Sequence, residues 1–249
     1  MREYKQHISE LAALEGFDPA AFAADSEHSQ QLCDLVLSLA LSFNDFHDLL
    51  VCHDIFNGAW PADEKTPTPE LGEFNGITQH LFRVHLATLH EVLNLIADNA
   101  KALKEPSFEK VVAKMSADSR EAWNKIVAAA SGTGSDTTAL TRFLLFARNK
   151  VAFHYDRKEI ASGFRRAFVE TANREPYVSR GETLARTRFY FADAAAQDYM
   201  RRKAEELGAP NSIVDALEFI TSVTFALHQL VFTFIVARGC AWRAPRPAG

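Results

Sequence analysis

TTALTRFLLFARNKVAFHYD, residues 137–156, sets Leu140, Phe143, Leu144, Ala147 and Val151 three and four places apart. That spacing gathers five apolar side chains on one stripe of an α-helix, and such a stripe must face a core. No Gly or Pro interrupts the run, and Asp156 at its end predicts the cap of a shorter helix over about 157–170, carrying Ile160, Phe164 and Phe168. A stripe of this width needs partner helices, which the flanking sequence supplies.

Upstream, Gln31–Phe56 reads as a long helix through Leu32, Leu35, Val36, Leu39, Phe43 and Phe46. PADEKTPTPELGE, Pro61–Glu73, has three prolines and little to bury, which predicts a surface loop. A helix over about 74–103 follows, stopped by Pro106. Ser107 is expected to cap the next, running to about Ala130 through Phe108, Val111, Trp123 and Ile126. SGTGSD, residues 131–136, is then a linker, and residues 2–24 read as one or two short helices broken near Gly16–Pro19.

Downstream, weak alternation around Arg180-Gly181 predicts a small β-hairpin near 177–191. Residues 211–237 form a last helix, apolar almost all round. Its core, Phe219–Ala237, approaches the length that spans a bilayer, but Thr221, Ser222, Thr224, His228, Gln229 and Thr233 interrupt it, which favours a core helix and no membrane. The expectation is a single all-α domain over 1–249, with a core at about 30–170 and an extension at about 171–240.

Composition agrees with long helices. Of 249 residues, 47% are hydrophobic and 19 are Phe, whereas Gly and Pro number only 11 and 9. Disorder, collagen and a disulfide scaffold are excluded. Three scattered cysteines, Cys33, Cys52 and Cys240, suit a reducing compartment, and the charged N-terminal stretch lacks a signal peptide's apolar run, so a cytoplasmic location is expected. CxxC, HExxH and Glu-x-x-His are absent, and His80, His85 and His90 drift around their helix, so neither metal nor cofactor is expected. The net charge of −5 argues against indiscriminate nucleic-acid binding. Yet Arg142–Lys203 holds 14 Lys and Arg against 7 Asp and Glu, a local excess that would suit an anion.

Chemistry centres on Arg148-Asn149-Lys150-Val151-Ala152-Phe153-His154. His154 falls in line with Ala147 and Val151, on the stripe that wants burial, while Arg148 flanks it at about 80°. An imidazole with a reference pKa near ~6.5 can move a proton at neutral pH. A guanidinium can bind two phosphate oxygens and counter the charge that grows on them. Arg142, Lys150, Arg157 and Lys158, with Arg165 and Arg166 beyond them, would extend a phosphate-binding track.

Arg148-Asn149, four residues, His154, then Tyr155-Asp156 opening a new helix resembles the Arg-x4-6-His signature of the HEPN superfamily. The resemblance is sharp over about 140–160 and architectural over about 30–170. It implies an up-down helical bundle with extra N- and C-terminal helices. It also implies a homodimer in which two copies of this helix meet, and RNA as partner. Many members are metal-independent endoribonucleases of toxin–antitoxin or defence systems, so a neighbouring-gene antitoxin is implied as well. The resemblance assigns His154 to proton transfer at the ribose 2′-hydroxyl or leaving oxygen, Arg148 to the scissile phosphate, and Asn149 to orienting both. The alternative is a non-catalytic helical dimer or interaction module, with His154 stabilised at a helix end and Arg148 reaching Asp45, Asp48 or Asp54. The five intervening residues turn Arg148 and His154 about 120° apart on an ideal helix. They can meet only if the helix unwinds near its end or each partners its counterpart across a dimer.

Overall fold

The computed structural model describes residues 15–58, 68–133, 137–152, 156–170, 175–183, 186–208 and 212–239. Among them are eight α-helices and no strand. In chain order these are α1 Gln30–Asn57, α2 Pro69–Asp98, α3 Pro106–Lys114, α4 Ala117–Ser131, α5 Thr137–Ala147, α6 Arg157–Phe164, α7 Tyr190–Glu206 and α8 Ser212–Ala237. Short 3-10 turns cover Pro19–Phe22 and Ala102–Lys104, and π-helical turns cover Arg148–Ala152 and Arg165–Glu170.

Local chemistry sets the boundaries, and it revises several expectations. α2 begins at Pro69, inside the stretch read as a loop, because Thr68 caps it: Leu71 N–H donates to Thr68 Oγ1 at 3.1 Å, and proline's missing donor costs nothing at the first helical position. Pro106 likewise starts α3 instead of merely ending the helix before it, and Ser107 lies buried inside α3 and not at its cap. The expected helix over 107–130 is two helices. Met115 and Ser116 turn extended, and Ser116 Oγ accepts from Ser119 N–H at 3.2 Å to open α4. Gly132, at φ 67°, closes α4 in the left-handed conformation that glycine adopts without strain. The predicted hairpin reduces to one antiparallel bridge, Ser179 with Arg188, joined by N–H···O bonds of 2.9 and 3.2 Å. α7 occupies sequence for which no element was expected.

Residue contacts divide the chain into two compact units. The first comprises Met1–Arg2, Leu49–His90 and Thr138–Ala216, and the second Glu3–Asp48, Glu91–Thr137 and Leu217–Gly249.

In the first unit four of the five stripe positions of α5 are buried, Phe143, Leu144, Ala147 and Val151 each at most 1% exposed, and Leu140 is half-buried. Phe146 of α5 meets Tyr199 of α7 edge-on, with centroids 5.0 Å apart. α6 lies close against α7 because Gly163 has no side chain. A Cβ there would run into the Ala195 carbonyl. Arg202 to Glu159 at 2.7 Å and Arg166 to Asp198 at 2.8 Å tie the same pair of segments.

In the second unit Leu32, Cys33, Leu35, Val36 and Leu39 of α1 and Ile220, Val223, Leu227, Leu230 and Phe234 of α8 are buried. Arg238 holds the end of α8 to the Pro19–Phe22 turn, donating from Nε to Ala21 O at 3.0 Å and pairing with Asp25.

Candidate functional site

α5 gives way to a π-helical turn where Arg148 begins. Wider turns of this kind cost backbone hydrogen-bond quality and recur at functional sites. The turn keeps Val151 on the buried stripe and leaves Arg148 and Asn149 half-buried. Arg148 Nη1 donates to Asn149 Oδ1 at 2.9 Å, so these neighbouring polar groups are joined. His154 lies outside the described residues, with Phe153 and Tyr155.

The flanks of that gap are tied to each other. Asp156 N–H donates to Lys150 O at 3.3 Å, and Lys150 Nζ approaches Asp156 Oδ2 at 3.4 Å. Asp156 also caps α6 as expected, accepting from Glu159 N–H at 3.3 Å. The Glu159 N–H, followed by Lys150, holds the Asp156 carboxyl below its usual range. Lys150 therefore reaches back to a carboxylate and is a weaker phosphate ligand than its sequence position suggests.

Arg142, Arg157 and Lys158 are exposed and make no ion pair among the described residues. Several of the other cations are engaged inside the first unit, whereas Arg165, Arg180 and Arg186 make no ion pair among the described residues. Arg166 pairs with Asp198, Arg188 with Asp193 and Glu73, Arg201 with Asp198 and Glu205, and Lys203 with Glu206. A cation held at 2.7 to 3.2 Å from a carboxylate gives up little to a phosphate unless that carboxylate is displaced.

No family model, curated protein or solved structure matches this chain.

Other groups emerge only from packing. His53 of α1 and His85 of α2 stack within the first unit, with centroids 5.0 Å apart and planes at 20°. His85 is wholly buried, and burial, then the neighbouring His53, lowers its pKa to about 4. Burial lowers that of His53 too. Of the series on α2, His85 and His90 are buried while His80 is exposed. Among the described residues no three His, Cys, Asp or Glu gather closely enough to hold a metal. Gln30–Asn57 and Val214–Ala237 are long and apolar enough to cross a membrane by length and composition.

Proposed function

We propose that the chain is a HEPN-like RNA-binding protein that cleaves RNA at a site built on Arg148, Asn149 and His154. Support comes chiefly from one observation. Arg148 and Asn149, which open the signature, sit where an α-helix breaks into a π-helical turn, with Arg148 bonded to Asn149. In this reading the Arg148 guanidinium binds the non-bridging oxygens of the scissile phosphate and counters the charge of its transition state. The ribose 2′-oxygen attacks phosphorus while its proton passes to a base. The 5′-oxygen leaves with a proton of its own, and His154 serves one of these transfers. The products are a 2′,3′-cyclic phosphate and a free 5′-hydroxyl. Asn149 keeps the guanidinium oriented, and Arg142, Arg157 and Lys158 steer the strand.

Pure wild-type protein is expected to cut single-stranded RNA in EDTA, leaving 2′,3′-cyclic ends. Arg148→Ala and His154→Ala should each lower the rate by at least about 100-fold, the scale of one lost transition-state or proton-transfer group. Cleavage by both variants at the wild-type rate would remove the proposal.

A second reading, a non-catalytic helical module that binds another protein, is favoured by the outer side of α8. Phe225, Phe232 and Val236 are 49%, 46% and 56% exposed there, more apolar surface than a solitary helix face ordinarily leaves in water.

A further inference from the structure

The first unit contains a cavity of about 490 Å³ that shares no residue with the Arg148 turn. Its walls are the first three turns of α2, the segment 175–179 and the start of α7, and its size is that of a small-molecule pocket. Two glycines bring the walls together. A Cβ on Gly72 would sit 2.6 Å from the Tyr190 ring, and one on Gly76 would strike the Arg188 guanidinium. The walls are also braced. Tyr190 donates its hydroxyl to Pro69 O at 3.2 Å, and Arg188 pairs with Asp193 at 3.1 Å. Segment 175–179 is pinned to the residues leading into α7 by the Ser179–Arg188 bridge and to α7 itself by Phe191 N–H donating to Tyr177 O at 3.3 Å.

The chemistry of the lining selects the occupant. No Lys, Arg or His is among the described lining residues, whereas Glu175 and Asp193 are. Backbone donors at the two helix starts are engaged, Leu71 N–H on Thr68 Oγ1 and Phe191 N–H on Tyr177 O. Among the described lining residues a phosphate or carboxylate would therefore meet the Glu175 carboxylate and no cation. Asp193 is already neutralised by Arg188, so the pocket is not strongly cation-seeking either.

Three primary amides remain. Asn75 and Gln79 stand one turn apart on α2, Gln197 projects from α7, and among the described residues none of the three has a hydrogen-bond partner. Each amide offers donors and an acceptor side by side, the pattern that matches the edge of a nucleobase. Beside them Tyr177 is 42% exposed on its pinned segment, an aromatic face the protein leaves uncovered. Base stacking uses such a face.

We propose that this cavity binds an uncharged nucleoside, its base stacked on Tyr177 and its edge read by Asn75, Gln79 and Gln197. The inference stands apart from the Arg148 reading, since it needs neither cleavage nor His154.

The test is calorimetric titration of the full chain with adenosine, guanosine, cytidine and uridine, and with the 5′-monophosphate of whichever binds best. At least one nucleoside should saturate one site per chain, with its monophosphate at least about fivefold weaker. Tyr177→Ala and Gln79→Met, both on the cavity surface, should each weaken the nucleoside about tenfold, the scale of one lost stack or edge contact. Saturation by no nucleoside, tighter binding of the monophosphate, or displacement of the nucleoside by spermidine at equal concentration would overturn the proposal. So would unchanged affinity in both variants, whose folding is checked by an unaltered unfolding midpoint.

Discussion

The His53–His85 pair ties stability to pH. In an unfolded chain an imidazole takes up its proton near ~6.5, whereas buried His85 resists protonation down to about 4. Between those values the unfolded state holds the extra proton, so stability must fall as pH falls across that window. The difference is on the order of 3 kcal/mol for His85, with His53 adding to it in the same direction. Urea midpoints measured from pH 7 to pH 4 should drop accordingly, and His85→Leu should flatten most of that slope. An equal slope in the variant would mean that other groups govern the acid limb. At this scale Arg148 and Asn149 were legible, because a recognisable order of residue types marks them. His53 and His85 were not, since they lie 32 positions apart and only folding brings them together.

Elements show the same division. Apolar periodicity located α1, α2, α5 and α8 because each buries a continuous stripe. It failed at Met115–Ser116, where a cap breaks the chain without disturbing the spacing of Phe108, Val111, Trp123 and Ile126. It also missed α7, whose buried positions are mostly alanines, Ala195, Ala196 and Ala204, giving little hydrophobic contrast. The small side chains have a purpose at Gly163, where α6 approaches the Ala195 carbonyl. Gly163→Ala is expected to destabilise the protein by about 1–3 kcal/mol, because backbone cannot move aside as a flexible side chain would. An unaltered unfolding midpoint in Gly163→Ala would show that α6 and α7 separate at no cost.

For the molecule as a whole, charge is organised differently from what its linear clustering suggests. Part of the basic charge of residues 142–203 becomes ion pairs bracing α6, α7 and the segment before them, while Arg142, Arg157, Lys158, Arg165, Arg180 and Arg186 make no ion pair among the described residues. The proposed cleaving site is one that forms where two copies of the Arg148 helix meet, so that proposal requires a dimer. Light scattering of pure protein at micromolar concentration should return about twice the chain mass of 27.8 kDa. A mass of one chain would rule out the two-copy site while leaving the nucleoside cavity untouched, since a single chain supplies all of its lining.

By itself the sequence determined that this chain is helical, which stripes face inward, and where a guanidinium and an amide share the end of α5. These are local matters, decided by spacing of three and four residues and by the identity of neighbours. Tertiary structure alone decided that α5 unwinds into a π turn at Arg148, that Arg166, Arg188 and Arg202 pair with carboxylates on other segments, and that α2, α7 and the 175–179 segment line one cavity. Each of those depends on surfaces far apart in the chain competing for the same partner. No local pattern records which surface wins.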